Sequence, residues 1–420
     1  MNILRSLLLL IIGIYLVPFS TQAAGLWLYE QATPDMGTAA AGRAALASDA
    51  STASVNPAGM TRLDRSQLLA GFQMLYVDTK FDTEFAQFGG GDGGNAGGWV
   101  PAASFSYVHK MSDDLSLGLS VGSFFGLGLD YGKSWSGRYY VQEAEFLTVG
   151  INPGIGYRLN EHWSVGAGIS VVNSSLSQKT AIRNLGADQG EGQLKLEDDD
   201  WGFGYNVGLL FEPSSDTRIG IHYRSEVEQK IEGDAKFSRV PGPLQPLFTK
   251  TDVKAEVDLP AMFSISGFHQ LNTEWAVVGD YTWTGWSSIP ELRFDFDNSL
   301  PDGVTTFDWK DTSRVALGTI YTPTGSDWTW RVGAAYDESP VRNAESRSAR
   351  MPDTDRIWLT LGAGFNPREN LRIDFGYAHL FMNDAKISKT ATGEDTTRGN
   401  LNGSYDASVD ILSIEAQYTF

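Results

Sequence analysis

Apolar and polar residues alternate with a period of two in several segments of the chain, most clearly at its C-terminus. In DILSIEAQYTF (410–420), apolar residues occupy every second position and Ser, Glu, Gln and Thr lie between them. The same alternation recurs in WGFGYNVGLLF (201–211), DWTWRVGAAYD (327–337) and LSLGLSVG (115–122). This period places apolar side chains on one face of an extended strand and polar ones on the other. The pattern therefore predicts an all-β protein.

The connections between these segments alternate in length. Short turns are predicted at MSDD (111–114), LNEH (159–162), EPSSD (212–216), LNTE (271–274), PTGSD (323–327) and NPREN (366–370). Longer connections separate them, such as FGGGDGGNAGG (88–98) and RVPGPLQP (239–246). Short turns on one side and long loops on the other are typical of an outer-membrane barrel rather than a soluble β-sandwich. Six hairpins with one further strand at each end predict a 14-stranded antiparallel transmembrane β-barrel with periplasmic termini.

Aromatic residues cluster beside the predicted short turns. The residues concerned are Tyr157, Trp163, Phe211, Trp275, Tyr321, Trp328 and Phe365. Aromatic rings at the same height in every hairpin predict a girdle at the membrane–water interface. The chain also ends in Phe420 on an amphipathic strand. That ending is common in Gram-negative outer-membrane barrels, so we expect the barrel assembly machinery to recognise Phe420.

Composition and charge narrow the class further. The 420 residues include 12 Trp, 16 Tyr and 46 Gly, and beyond residue 23 no apolar run approaches the roughly 20 residues of a transmembrane helix. Cysteine is absent, which excludes a disulfide framework and a thiolate metal site. The formal net charge of -19 argues against nucleic acid as a partner. The 5 His residues lack metal-ligand spacing, and no cofactor or metal is expected.

The N-terminal region precedes the strands and divides into two parts. Residues 1–23 combine a positively charged start, an apolar run and small residues at the cleavage positions, which predicts a secretory signal peptide. Residues 24–65 are rich in small residues, lack strand alternation and contain the turn Asn56-Pro57-Ala58. Because a barrel of this width encloses a wide lumen, we predict that residues 24–65 form a hatch inside the barrel of residues 66–420. A disordered periplasmic tail is the alternative.

Several segments resemble those of one known family. They are AGLWLYEQ (24–31), NPAGM (56–60), WGFGYNVG (201–208), YRSEV (223–227), AYDESPV (335–341) and PDTDRIW (352–358). Together with the signal peptide they are similar to the outer-membrane long-chain fatty-acid transporters of the FadL type, which also include aromatic-hydrocarbon channels. The resemblance extends over nearly the whole chain. It implies a fourteen-stranded barrel, an N-terminal hatch, an apolar groove between extracellular loops and a kink in strand three that opens the wall sideways.

Strand three carries the predicted lateral opening. In SFFGLGLDYG (123–132), Gly126 and Gly128 follow Phe124 and Phe125. Glycine inside a strand weakens it and often marks a bend or bulge. The resemblance places the kink here, so we expect a bend between Phe124 and Gly128 that breaks pairing with a neighbouring strand.

Two further sets of residues are predicted to contact the ligand. The first is an apolar set on the long connection at 233–250, comprising Phe237, Val240, Leu244, Leu247 and Phe248. Exposed apolar patches usually mark a binding surface, which predicts a substrate groove; self-packing of the loop is the alternative. The second is cationic, because a fatty-acid carboxylate needs a charged partner in an apolar pocket. Lys179 and Arg183 at the end of strand five and Lys310 near the start of strand ten are predicted for this role.

Together with the resemblance, these features predict passive, ligand-gated uptake of long-chain fatty acids across the outer membrane. The expected partners are a long-chain fatty acid or another hydrophobic small molecule, outer-membrane lipid and lipopolysaccharide. Uptake of monoaromatic hydrocarbons or alkanes by the same mechanism is the first alternative, and an outer-membrane lipase is the second. The motif GLSVG (118–122) fits G-x-S-x-G, but a nucleophile elbow requires a strand–turn–helix context. Ser120 is therefore predicted to be a small lumen-facing residue, and the protein is not expected to be an enzyme.

Overall fold

A computed structural model describes residues 32–184, 190–240, 245 and 247–420 of the chain. The predicted signal peptide, residues 24–31 of the predicted hatch and Leu244 lie outside these described residues.

Twenty strand segments make up almost all of the described regular structure. The first ten are β1 (Gln67–Ala86), β2 (Trp99–Lys110), β3 (Leu115–Gly122), β4 (Gly126–Asp130), β5 (Glu143–Arg158), β6 (Trp163–Ile182), β7 (Gly192–Ser214), β8 (Thr217–Arg224), β9 (Lys230–Ser238) and β10 (Thr251–Glu256). The others are β11 (Met262–Gln270), β12 (Trp275–Thr284), β13 (Glu291–Phe296), β14 (Gly303–Thr306), β15 (Thr312–Tyr321), β16 (Trp328–Asp337), β17 (Arg356–Arg368), β18 (Leu371–Met382), β19 (Ala385–Lys389) and β20 (Leu401–Thr419).

Antiparallel pairing joins these segments into a closed barrel of fourteen wall strands. Wall strand three consists of β3 and β4, which both pair with β5. Five other wall strands are also interrupted once: strand seven (β8, β9), eight (β10, β11), nine (β12, β13), ten (β14, β15) and thirteen (β18, β19). Pairing of β20 with β1 closes the ring. The arrangement confirms the predicted fourteen-stranded antiparallel barrel.

The two faces of the wall differ as the alternation predicts. On β17, Ile357, Leu359 and Leu361 point outward and are exposed, whereas Trp358 and Thr360 point inward and are buried. Beside the short turns, stacked cross-strand aromatic pairs lie on the outer surface: Trp163 with Phe211, Trp275 with Tyr321 and Trp328 with Phe365. Such rings are typical of the membrane–water interface of a barrel.

Short helices fill the inside of the ring. They are α1 (Thr33–Gly37), α2 (Arg43–Leu46), α3 (Thr52–Val55) and a 3₁₀ helix at Pro57–Arg62, and two further 3₁₀ turns at Trp286–Ser288 and Gly393–Asp395 lie in connections. We keep the name hatch for residues 32–65, nearly all of which are buried. The hatch contacts wall strands at several places around the ring, among them β3, β5, β7, β8, β11, β17 and β18. Among the described residues, none of the helices is long and apolar enough to span a membrane.

Candidate functional site

The turn Asn56-Pro57-Ala58 is held against the inner face of the wall. Asn56 Nδ2 donates hydrogen bonds to Ala44 O (2.6 Å) and Leu209 O (3.1 Å). Its Oδ1 accepts from Ala58 N (3.2 Å), so the side chain caps the 3₁₀ helix that Pro57 begins. Asn56 thus ties two hatch segments to strand β7 at once.

Three wall glycines make room for this turn. Gly156, Gly166 and Gly208 lie on the adjacent strands β5, β6 and β7, and the hatch backbone or the Asn56 amide occupies the space of a side chain at each. A Cβ at Gly208 would overlap Asn56 Oδ1. Of the glycines in WGFGYNVG, Gly208 therefore lets the hatch approach, whereas Gly202 and Gly204 lie against Val227 in the connection between β8 and β9.

The wall is interrupted at strand three. Pairing between β2 and β3 ends at Phe105 with Val121, and among the described residues β4 pairs only with β5. Above the interruption, Asp130 N donates to Ala96 O (2.8 Å). Residues 97–104 and 122–129 thus face each other without ladder bonds. We call this stretch the gap.

The predicted opening residues border the gap from inside. Phe124 and Phe125 are buried, and Phe124 lies over Gly150 of β5. Gly126 is the first and Gly128 the third residue of β4, and both are buried against β5. The chain therefore turns into the lumen at Phe124 and returns to the wall at Gly126.

An apolar cavity lies beside the gap in the loop-bearing half of the barrel. Leu127 of β4 forms part of its lining. The other lining residues are Ala144, Glu145, Phe146, Leu176, Gln178, Val257, Ile289, Leu292, Phe307, Trp309, Arg350 and Met351. The rings of Phe307 and Trp309 stack with centroids 4.3 Å apart.

Arg350 is the cation of this cavity, and sequence reasoning did not identify it. Its Nε donates to Gln178 Oε1 (2.8 Å) and its Nη1 to Thr305 Oγ1 (2.7 Å), both neutral acceptors. No carboxylate of the described residues lies within 4.0 Å of its guanidinium. Burial lowers the pKa of Arg350 to about 9, which leaves the side chain cationic at neutral pH. Asp395 and Glu394 attract this charge only from beyond 4.0 Å. A buried cation without a close counter-charge is costly, and an anionic ligand would reduce that cost.

The cations predicted from sequence lie elsewhere. Lys179 Nζ pairs with Glu143 Oε2 at 2.5 Å. Arg183 is exposed and stacks on the Phe88 ring at 4.3 Å. Lys310 Nζ lies 3.5 Å from Glu338 Oε1. None of the three lines the cavity beside the gap, so their role in carboxylate binding stays a prediction.

The predicted groove residues divide between a strand and a loop. Phe237 belongs to β9 rather than to a loop, because the connection begins only after Ser238. Its ring packs against Phe248 at 5.3 Å, so these two residues partly cover each other. Val240 is half-buried, and Leu247 is 44% exposed. Of the described groove residues, Leu247 offers the most apolar surface to a ligand.

The serine of the G-x-S-x-G motif lies within a strand rather than at a strand–turn–helix elbow. Ser120 is buried in the middle of β3, as expected of a lumen-facing position. No group of three or more His, Cys, Asp or Glu among the described residues could hold a metal ion.

Comparison with known proteins identifies the family. The family described as outer membrane protein transport protein (OMPP1/FadL/TodX) matches residues 14–420. A long-chain fatty acid transport protein of Escherichia coli O6:H1 is 30% identical over 413 residues, which cover 90% of this chain and 92% of that protein. Outer membrane protein P1 of Haemophilus influenzae is 29% identical, with 98% of both chains covered.

Solved structures share the fold at lower identity. The crystal structure of a Pseudomonas aeruginosa FadL homologue has a TM-score of 0.87 at 23% identity and covers 94% of this chain and 100% of that chain. The Pseudomonas putida toluene transporter TodX has a TM-score of 0.64 at 17% identity and covers 88% and 94%. The cargoes in these names are hydrophobic compounds. The chain therefore belongs to the OMPP1/FadL/TodX family of outer-membrane transport proteins, which are channels for hydrophobic compounds rather than enzymes.

Proposed function

We propose that this protein takes up long-chain fatty acids by passive, ligand-gated diffusion. Arg350 carries the proposal, because it is a buried arginine with neutral partners at the edge of an apolar cavity. Aliphatic lining suits the hydrocarbon chain, and a guanidinium binds a carboxylate through two parallel hydrogen bonds. The relatives named as long-chain fatty acid transport proteins support the same cargo.

The path has three proposed stages. Leu247 and its neighbours on the connection after β9 capture the ligand, the cavity around Arg350 binds it, and the gap releases it into the membrane. Moving a chain of about 15 methylenes into water costs some 12 kcal/mol, at roughly 0.8 kcal/mol each. Release through the gap into lipid avoids most of that cost. The hatch blocks the straight route through the lumen.

Monoaromatic hydrocarbons are the second candidate cargo. Phe146, Phe307 and Trp309 place three aromatic rings in the cavity lining, and such rings pack well on aromatic ligands. The toluene transporters among the structural neighbours share the fold. This cargo would leave Arg350 without a carboxylate to bind.

Competitive binding with the Arg350→Gln variant distinguishes the two cargoes. Hydrogen bonds to charged groups contribute about 1.5–3 kcal/mol, so we expect the affinity for oleate to fall about tenfold to a hundredfold. Affinities for oleyl alcohol and toluene should change little. The matched control is Arg342→Gln, because Arg342 lies in the same loop but is partly exposed and bonds Asp308 O. Equal oleate affinity in wild type and Arg350→Gln would refute the carboxylate role of Arg350, and tighter binding of toluene than of oleate would favour the second cargo.

We also propose contacts with other outer-membrane components. Phe420 is 59% exposed and packs edge-on against Tyr418 and Tyr107. An accessible terminal ring supports the proposal that the barrel assembly machinery recognises it. The exposed aromatic pairs support contact with outer-membrane lipid and lipopolysaccharide.

A further inference from the structure

Three arginines of the barrel wall hold the hatch in the same way. Each donates a hydrogen bond to a hatch carbonyl and places its guanidinium over an aromatic ring of the wall. Arg218 donates to Ala45 O (3.0 Å), and its guanidinium carbon lies 3.6 Å from the centre of the Phe268 ring. Arg224 donates to Ser54 O (2.7 Å) and lies 4.1 Å from the centre of the Phe124 ring. Arg314 donates to Ala39 O (2.7 Å) and lies 5.2 Å from the Trp358 ring. We call them the hatch arginines.

The ring beneath Arg224 differs from the other two in its backbone. Phe268 and Trp358 belong to β11 and β17, which are paired continuously on both sides at these positions. Phe124 lies in the interruption between β3 and β4, at the border of the gap. Of the three hatch arginines, Arg224 therefore contacts both the hatch and the interruption of wall strand three.

The partners of Arg224 make this contact tight. Arg224 is buried, and its Nη1 donates to Ser170 Oγ (2.7 Å) on the wall. Within the part of the chain that the structure describes, no carboxylate lies within 4.0 Å of its guanidinium. Its charge is stabilised by a carbonyl, a hydroxyl and the face of the Phe124 ring, and cation–π attraction is strongest where water is excluded. Removing any one of these partners leaves the buried charge poorly satisfied.

We infer that Arg224 is a positioning residue that couples the hatch to the gap. Movement of Phe124 out of the lumen removes one partner of the guanidinium and weakens its hold on Ser54 O, at the end of α3. Displacement of α3 likewise frees the guanidinium and loosens Phe124. Leu127 lies three positions after Phe124 and lines the cavity. A ligand that shifts Leu127 would therefore also act on the hatch, and this last step rests on the proposed function.

Hydrogen exchange measured by mass spectrometry on the ligand-free protein tests the coupling. In Arg224→Met, which keeps an apolar stem but removes the donors and the charge, we expect amides of 51–56 and of 123–129 to exchange at least about tenfold faster. Phe124→Leu should accelerate exchange at 51–56 although Phe124 is not part of the hatch. The double variant should resemble the stronger single variant, because both remove one interaction. Arg224→Lys should restore part of the protection.

Arg218→Met is the matched control. It removes the same kind of contact from the same strand, so exchange should rise near Ala44–Leu46 and stay unchanged at 123–129. The inference is overturned if Phe124→Leu leaves 51–56 unchanged, if Arg224→Met affects only one segment, or if Arg218→Met loosens 123–129 equally. If heat-modifiable mobility shows that Arg224→Met does not fold, hydrogen exchange in Phe124→Leu and Arg224→Lys tests the inference instead. Because no cargo is present in this exchange experiment, a negative result refutes the coupling but does not bear on the proposed function. The Arg350→Gln experiment tests the proposed function separately.

Discussion

The hatch contacts two sides of the barrel that are built differently. On the side of β16, β17 and β18, pairing runs unbroken from Trp328 with Phe365 to Asp337 with Arg356 and continues into β18. Gly37 of the hatch lies against Gly362 there, and Thr360 Oγ1 donates to Gly37 O (3.2 Å). On the side of β2, β3 and β4, pairing stops after Val121 and aromatic side chains turn into the lumen. We call these the sealed side and the interrupted side.

The interruption is stabilised by its neighbours. Backbone groups in a membrane need partners when a ladder ends. Phe125 N donates to Thr148 Oγ1 (3.0 Å), and Phe125 O accepts from Thr148 N (3.1 Å) and Ser123 Oγ (3.0 Å). The side chains of Thr148 and Ser123 therefore complete the bonds that a continuous ladder would make. The gap is therefore held by specific side-chain hydrogen bonds, whereas the sealed side is fixed by close backbone approach.

The largest expected effect comes from disturbing the sealed side with Gly362→Val. A Cβ at Gly362 would lie about 2.9 Å from Gly37 Cα, so α1 of the hatch must move. Overpacking costs about 1–3 kcal/mol, and we expect a folded barrel with a displaced hatch that conducts small ions in planar bilayers. Gly267→Val is the control, because the space around Gly267 is open. Equal conductance of the two variants would contradict this account of the sealed side.

Asn56→Ala should have the next largest effect. The change removes three hydrogen bonds: those that Asn56 donates to Leu209 O of β7 and to Ala44 O of the hatch, and the one that it accepts from Ala58 N. Leaving buried partners unsatisfied costs about 1–3 kcal/mol, so we expect impaired uptake of labelled oleate and unchanged heat-modifiable folding. Normal transport by Asn56→Ala would remove Asn56 from the mechanism.

A pair of threonine variants compares the stability of the interrupted side with that of the sealed side. Thr148→Val removes a hydroxyl that bonds the Phe125 backbone within the interruption of wall strand three, whereas Thr360→Val removes one that supplements an intact ladder. We expect Thr148→Val to lower the free energy of unfolding by about 1–2 kcal/mol more than Thr360→Val does. Urea or guanidinium unfolding of both proteins measures the difference. Equal losses would mean that the interruption does not depend on Thr148, and Thr148→Ser should retain most of the wild-type value.

The smallest effect is expected at Leu247, which lies on the connection after β9 and belongs to neither the sealed nor the interrupted side. Leu247 is about half exposed, so covering it with a ligand contributes about 1 kcal/mol. Leu247→Ser should weaken ligand binding at intact cells about fivefold and leave barrel stability unchanged. Phe248→Ser is the contrasting variant, since Phe248 packs on Phe237 and supports the loop itself. An unchanged binding isotherm for Leu247→Ser would indicate that the loop does not capture the ligand.

The sequence predicted the barrel because its determinants are local. Alternation along WGFGYNVG and the short turns between strands follow from residues that are neighbours in the chain. The glycines and phenylalanines of 123–132 could be noticed for the same reason. Their conformation follows from Gly150 and Thr148, which lie on another strand. A bend could be expected from sequence, but not which groups would stabilise it.

The cations were harder to place because their surroundings are made by distant segments. Arg350 meets Gln178 and Thr305 across 172 and 45 positions of sequence. Lys179 was predicted from its place near a strand end, yet Glu143 directly opposite it on β5 already pairs with it. Arg224 stood within the segment YRSEV without a role. Its significance depends on Phe124 and Ser54, which only the folded barrel brings together.

We propose that cargo leaves through the gap, and a reversible covalent bridge across the gap tests this exit route. The chain contains no cysteine, so Val100→Cys with Gly126→Cys introduces the only thiols, one on each border. A short bifunctional methanethiosulfonate can join them, and Ser106→Cys with Ser120→Cys provides a control in the paired part of the same strands. The account predicts that bridging the first pair reduces the initial rate of oleate uptake at least about tenfold, that reduction restores it, and that the control is unaffected. Wild-type uptake by protein shown to be bridged at Val100→Cys and Gly126→Cys would contradict lateral release.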